Sequence, residues 1–338
     1  MSPSTTPTIA GAAVPNLPWE DKPADCRDVV WRYRGNPIIG WNPVGRVARI
    51  FNSAAIAWEG GFVGVFRADH RNARADLHFG RSADGIRWDV EPEVIAWQDE
   101  AGRPKPLSYG YDPRLLKIED TYYITWCDDF PGASIGLGCT RDFQTFLRME
   151  NPLMPFNRNG VLFPRRIHGR YGGQYALLSR PSDSGHTPFG DIVLSWSPDL
   201  IYWGRHRLVM SRGGRGWWQS TKIGAGPVPI ETTEGWLLFY HGVTTTCNGY
   251  VYSMGAALLD LDDPGRVLYR TRDYLLGPEK DYETAGFVPN VVFPCAAIAD
   301  APTGRIALYY GAADTFTALA FCQVDELLDY LRRNSEVF

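Results

Sequence analysis

WEGGFVGVFRA (58–68), EDTYYITWCD (119–128), GRYGGQYALLSRP (169–181), EGWLLFYHGV (234–243) and GRIALYYGAAD (304–314) are five versions of one line. Each is a polar or glycine turn followed by a short aromatic and β-branched run, the pattern of a strand entered from a tight turn. The copies begin roughly 50 to 70 residues apart, a period that points to a propeller or another repeat array. A unit of this size cannot bury its apolar face alone and must stack on its neighbours.

The flanking sequence fills out the unit. Ahead of each line lies a strand interrupted by small residues or proline: IFNSAAIAW (50–58), YDPRLLKI (111–118), VLFPRRI (161–167), IGAGPVPI (223–230) and VVFPCAAI (291–298). Behind the first three lines, GRSADGIRW (80–88), GCTRDFQTF (138–146) and LSWSPDLIYW (194–203) share a small residue, an Asp and then an aromatic, which reads as a turn opening an outer strand. The last two units close differently, with GAALLDLDDPGRVLY (255–269) and ALAFCQVDELLDYL (318–331). Each unit is thus a four-stranded meander. Strands alternating with long helical patterns are absent, which argues against a parallel α/β fold. The expectation is an all-β, five-bladed β-propeller, with VDELLDYLRR (324–333) as a short C-terminal helix. A pair of β-sandwiches is the competing fold, but it does not explain a fivefold period.

Of the 338 residues, 44% are hydrophobic and 21% charged, ordinary values for a globular protein with a sizeable core. Residues 1–25 read as a flexible N-terminal arm and 26–338 as a single propeller domain. The net charge of −4 lacks the electrostatic footprint of a nucleic-acid binder. The N-terminus shows no charged n-region or apolar core of a signal peptide, and no apolar run reaches the roughly 18 residues of a membrane helix. Six cysteines without paired spacing or a C-x-x-C read as buried free thiols in a reducing cytoplasm. No metal is expected.

In a propeller the innermost strands line the axis, so polar residues at odd places in them are candidates for a site. The interrupted strands contribute Asn52, Ser53, Asp112, Arg165 and Lys222, and the second strands end in Arg67, Asp69, Asp128, Arg180, His241 and Asp314. Buried charge must be paired or it costs several kcal/mol, so salt bridges between blades are the structural reading of each residue taken singly. As a set they are lopsided: Arg158, Arg180, Lys222 and His241 could bring three positive charges and an imidazole near one point, as sites for phosphate or carboxylate do. GRGWW (214–218) is no P-loop, so a small anion fits better than a nucleotide.

Ten segments in order carry a family resemblance: NPI (36–38), RIFNSAAI (49–56), FRAD (66–69), YGYDPRL (109–115), NRNGVLFP (157–164), LSRPSD (178–183), STKIGAGPVPI (220–230), FYHGV (239–243), NVVFPCA (290–296) and LYYGAADT (308–315). The chain resembles the β-mannoside phosphorylases of glycoside hydrolase family 130 from about residue 36 to 325. The resemblance implies a five-bladed propeller and inverting phosphorolysis of a β-linked mannoside, β-1,4 by its lean toward the mannooligosaccharide and β-mannosyl-N-acetylglucosamine branch. The products would be α-mannose 1-phosphate and a shortened acceptor. It implies Asp112 as the single catalytic acid, acting through the mannose 3-hydroxyl. Arg158, Asn159, Arg180, Lys222 and His241 would hold phosphate, with Arg165 and Arg166 next in line. Asn52, Ser53, Arg67, Tyr111, His186, Tyr252, Phe293 and Asp314 would hold the sugar. Trp217 and Trp218 would be an acceptor platform or core filling. No cofactor is expected, since inorganic phosphate is a co-substrate, and kinship implies a homo-oligomer. Two other readings stay open: a hydrolase using Asp128 or Asp129 to activate water, and a lectin. A lectin would repeat its polar residues from blade to blade, and this chain does not.

Overall fold

Each of the five recurring lines is the second strand of an antiparallel sheet. In blade 1, Val47–Trp58, Gly61–His70, Ala75–Ser82 and Asp89–Val94 pair in sequence order from the axis outward. Blade 2 runs Gly110–Ile118, Thr121–Asp129, Ala133–Thr140 and Phe146–Arg148, with Trp97–Gln98 added in parallel outside. Blade 3 comprises Asn157–Leu162, Tyr175–Pro181, Ile192–Ser197 and Gly204–Met210. Blade 4 has Lys222–Ala225 and Ile230–Thr232 along Gly235–Thr246, then Gly249–Leu259 and Val267–Arg270. Blade 5 is Val292–Asp300, Arg305–Ala312 and Phe316–Gln323, closed by Trp31–Arg32 from the N-terminal side. This computed structural model describes residues 8–129, 132–182, 190–214, 217–247 and 249–337. The chain is a five-bladed β-propeller.

The blades adhere because strand side chains alternate between faces, and every face between blades is apolar. Val63, Leu77 and Phe79 meet Leu115, Ile124 and Trp126 between blades 1 and 2. Leu116 and Leu137 meet Leu162 and Leu177 at the next junction, and Leu178, Leu194 and Trp196 meet Trp236 and Leu238 after that. Leu237 and Leu258 pack against Leu308 between blades 4 and 5, and Ala55 and Phe62 against Tyr309 between blades 5 and 1.

The shared turn signature has one geometry in three blades. Ser82, Thr140 and Ser197 accept the backbone N–H three residues on (2.8, 2.9 and 2.8 Å). Asp84, Asp142 and Asp199 each accept the N–H groups two and three residues on. The C-terminal helix spans Val324–Arg333, as its spacing predicts; Val324, Leu327, Leu328 and Leu331 bury one stripe in the core between blades 4 and 5. No helix is long and apolar enough to cross a membrane among the described residues.

Several expectations change. The innermost strand of blade 3 ends at Leu162, so Arg165 and Arg166 lie beyond it. From Thr8 onward the stretch read as a flexible arm lies against the ring: Ala10 donates to Glu231 O at 2.8 Å, Val14 to Asp300 Oδ1 at 2.7 Å, and Ile9 is buried. All six cysteines are free thiols, but Cys247 is exposed and Cys26 and Cys139 are only half-buried. The outer strand of blade 5 comes from the opposite end of the chain. Trp31, 4% exposed, packs edge-on against Trp19 with ring centroids 5.3 Å apart and also meets Phe321. Arg32 pairs with the fully buried Glu283 at 2.7 Å, and Tyr310 donates to the same carboxylate. Trp31→Ala is expected to destabilise the ring by about 3–5 kcal/mol, read as a lowered urea midpoint; an unchanged midpoint would mean that the closing strand does not hold the ring.

Candidate active site

At the same level in four blades the innermost strand carries one extra residue. The pairing shifts between Phe51 and Ala54, Tyr111 and Arg114, Arg158 and Val161, and Pro294 and Ala296. In the first three the residue opening the bulge is left-handed: Asn52 (φ 47), Asp112 (φ 50) and Asn159 (φ 54). Asn and Asp tolerate this region better than other residues with a side chain, and such bulges re-aim a side chain beside a site. The interruptions visible in the sequence are these bulges, and they turn Asn52, Asp112 and Asn159 toward the axis.

The first wall is built around Asp112. Its Oδ1 accepts from Asn52 Nδ2 at 2.9 Å and from Arg67 Nη1 at 2.8 Å. Both donors fall on one oxygen, and the pair fixes the carboxyl in place. Arg67 also donates to Asp69 (3.0 Å), which in turn receives Arg49 (3.3 Å), and its guanidinium lies 4.1 Å from the Phe51 ring centroid. Asn52 needs a bare backbone opposite it: a Cβ on Gly311 would sit 1.8 Å from Asn52 Oδ1. Asp314, left-handed at φ 46, is pushed up to about 6 by burial against the opposing pull of Arg67.

The second wall is cationic. Arg158 and Arg180 pair directly across blade 3. Arg158 donates to the Tyr111 hydroxyl at 3.2 Å and to Ser182 O at 2.9 Å. Arg180 Nη1 lies 2.9 Å from His241 Nε2. A guanidinium only donates, so Nε2 accepts and the imidazole is neutral with its proton on Nδ1. Burial, followed by the charges of Arg180, Lys222 and Arg114, holds His241 well below its ordinary value, in agreement with that tautomer. Lys222 is lowered to about 8 by burial and by Arg180 and Arg158, and its ammonium lies over Tyr250 and Tyr252 at 4.9 and 5.2 Å. The Arg180 and His241 pair packs onto Gly224, where a Cβ would come within 2.5 Å of the imidazole.

These walls enclose a cavity of about 430 Å³. It is lined by Asn52, Arg67, Tyr111, Asp112, Arg158, Asn159, Arg180, Lys222, His241, Tyr252, Phe293 and Asp314, all named from the sequence. Arg180 Nε, His241 Nδ1 and Asn159 Oδ1 are buried without a protein partner. Buried polar atoms are normally satisfied, and these three belong to residues that line one cavity. Among the described residues no group of three His, Cys, Asp or Glu side chains could hold a metal ion.

Other expectations differ. Ser53 is buried and spends its hydroxyl on Phe51 O at 3.1 Å, outside the cavity lining. His186 lies outside the described residues. Arg165 makes a bidentate pair with Glu231 (2.8 and 2.7 Å) and covers Trp236, and Arg166 donates to the carbonyls of Gly173 and Pro198; neither lines the cavity. Trp218 fills core against Tyr240, while Trp217 is exposed, so they form no joint platform. Asp128 is buried with Arg148 (2.8 Å) and Asn151 (3.2 Å), and neither it nor Asp129 lines the cavity. Sequence reasoning missed Cys127, pushed up to about 11 by burial and by Asp112, and Tyr250, one strand step pair from Tyr252. The alternation of strand faces could have found Tyr250.

The model of glycoside hydrolase family 130, described as beta-1,4-mannooligosaccharide phosphorylase, matches residues 13–333. The chain is similar to the beta-1,4-mannooligosaccharide phosphorylase of Ruminococcus albus, with 52% identity over 98% of this chain and 99% of that protein. It is also similar to a beta-1,2-mannobiose phosphorylase of Listeria innocua, with 42% identity over 75% of this chain and 68% of that one. The solved structure of beta-1,2-mannobiose phosphorylase from Listeria innocua, in complex with beta-1,2-mannobiose, shares the fold at a TM-score of 0.79 and 28% identity, covering 90% of this chain and 99% of that one. Matched by the family model along nearly its whole length, the chain belongs to glycoside hydrolase family 130.

Proposed function

We propose that this protein is an inverting β-mannoside phosphorylase that cleaves β-1,4-mannooligosaccharides with inorganic phosphate, giving α-mannose 1-phosphate and a shortened acceptor. The observation that carries the reading is the asymmetry of the cavity. One wall presents a carboxylic acid positioned by two donors, and the other gathers Arg158, Arg180, Lys222 and a neutral His241. An inverting hydrolase needs a second carboxylate to activate water, and the other carboxylate of the cavity, Asp314, lies beside Arg67 and Asp112 on the acid wall rather than facing it. A phosphorylase needs cations instead, because its nucleophile is already anionic. The β-1,4 linkage is supported by the likeness to the Ruminococcus albus enzyme along both chains.

In this mechanism phosphate sits on the cationic wall, its oxygens taking hydrogen bonds from Arg158, Arg180 Nε, His241 Nδ1 and Lys222. Asn159 Oδ1 accepts from a phosphate hydroxyl. One phosphate oxygen attacks the anomeric carbon from the face opposite the aglycone. The C1–O bond to the acceptor breaks as the new bond forms, so the β-linkage becomes an α-phosphate. The departing oxygen takes a proton that originates on Asp112, relayed through the mannose 3-hydroxyl. Asn52, Arg67, Tyr111, Tyr252, Phe293 and Asp314 hold the mannosyl ring between acid and phosphate. No cofactor is required, since phosphate supplies the nucleophile and the protein supplies the proton. We take residues 26–338 as one catalytic domain. We place the protein in the cytoplasm on its six free thiols, and we assign a homo-oligomer on its kinship.

Asp112→Asn is expected to lower kcat on mannobiose by about 10²–10⁴-fold, the usual contribution of general acid catalysis, with the circular dichroism spectrum unchanged. Near-normal turnover would overturn the assignment of Asp112. Lys222→Met is expected to raise the phosphate KM by about 10- to 100-fold, the loss of one charge-assisted contact. The ammonium is charged below about 8 and loses its proton above, so the wild-type phosphate KM should climb as pH rises through that value. In Lys222→Met the KM should be high and flat over the same range. Sugar release indifferent to phosphate would make the protein a hydrolase, and sugar binding without turnover in phosphate would make it a lectin.

A further inference from the structure

Arg114 has entered so far only as one of the charges acting on His241, yet it is 1% exposed and lies against the bulge that carries Asp112. It is the first paired residue after the blade 2 bulge, and the same register position holds Ala54, Val161 and Ala296 in blades 1, 3 and 5. Three blades fill this place with a small apolar side chain, and blade 2 alone buries a guanidinium there. The cost of removing a charge from water is several kcal/mol unless it is compensated.

Its hydrogen bonds all run to backbone carbonyls. Nη1 donates to Asp112 O and Pro113 O, each at 3.0 Å, and so grips the bulge that presents the acid. Nε donates across the axis to Gly226 O. Gly226 directly follows Lys222–Ala225, the strand whose Gly224 backs the Arg180 and His241 pair. One side chain therefore spans the gap between the acid-bearing strand and the strand behind the cations. The guanidinium also lies 5.7 Å from the ring centroid of Phe293 in blade 5, and Nη2 is buried without a partner.

We propose that Arg114 is a positioning residue for proton transfer: a strut between blades 2 and 4 that holds the left-handed Asp112 bulge at a set distance from the phosphate-holding wall. The proposal rests on the phosphorylase reading. It predicts a selective loss. A substrate whose leaving group needs a proton depends on the placement of the acid, and one with a good leaving group does not.

The test compares Arg114→Met, which restores the apolar character of the other blades, with Arg114→Lys, which keeps the charge but cannot reach all three carbonyls. Both are assayed with mannobiose and with 2,4-dinitrophenyl β-mannoside, at saturating phosphate and with the phosphate KM measured in parallel. For Arg114→Met, kcat on mannobiose is expected to fall about 100-fold or more, and kcat on the dinitrophenyl substrate less than tenfold. The phosphate KM should stay within about threefold, and Arg114→Lys should recover part of the mannobiose rate. Equal losses on both substrates, or full activity of Arg114→Met on mannobiose, would overturn the proposal. Should Arg114→Met fail to fold, Arg114→Lys decides alone by the same comparison. Wild-type protein assayed without phosphate separates the two readings: turnover there refutes the phosphorylase, while the unequal losses still report on Arg114.

Discussion

The structure depends on a backbone conformation repeated around an axis. Asn52, Asp112 and Asn159 each take a left-handed φ in the middle of an innermost strand. Such a residue with a side chain stores about 1–3 kcal/mol of strain unless its surroundings over-determine it. The surroundings here do so on both sides. The strands continue their ladders beyond each bulge, and apolar clusters clamp every blade to the next. Remove the bulges and the alternation of a regular strand would send these polar side chains into the packed junctions. The ring supplies the rigidity, and the bulges spend it on aiming three side chains at one point.

A second consequence is electrostatic. Facing strands collect positive charge in a partly buried cavity, where neighbouring cations add to burial in depressing Lys222, Arg180 and His241. Lys222 sits near 8 and His241 stays neutral for this reason, with burial the larger share in both. The opposite wall moves the other way: burial lifts Asp314, while Arg67 fastens Asp112. The two walls are therefore held in opposite protonation tendencies by the same lack of solvent. A small anion bound to the cations would relieve their mutual repulsion, and it would strengthen the grip of Lys222 on its own proton.

Much of this was readable in the chain, and the failures have physical causes. The five recurring lines are the second strands, because turn residues and alternating apolar residues are local signals. The bulges were visible as small or polar breaks in otherwise apolar strands, and the convergence of their residues follows from the ring. Arg165 and Arg166 misled because FPRRI looks like a continuing strand, whereas the blade 3 ladder ends at Leu162. Ser53 follows a true bulge residue but turns its hydroxyl back to its own strand. Arg114 was hidden within a familiar-looking motif, since its distinguishing partner is a carbonyl more than a hundred residues away. The pairing of Trp31–Arg32 with Phe316–Gln323 had no local signal at all: two residues define no period, and their partner lies at the far end of the chain.

That last pairing sets the order in which the molecule can be completed during synthesis. Four blades are contiguous in the sequence, and each can assemble as it leaves the ribosome, as domains and units generally do. The fifth cannot, because its outer strand is made among the first residues and its inner ones among the last. Residues 31–32 must wait, with Trp31 lacking its Phe321 partner, until the final strand emerges. The arm that crosses blades 4 and 5 waits with them. An interrupted chain would therefore leave an open arc whose two raw edges are suited to each other, and two such arcs could pair in place of one closed ring.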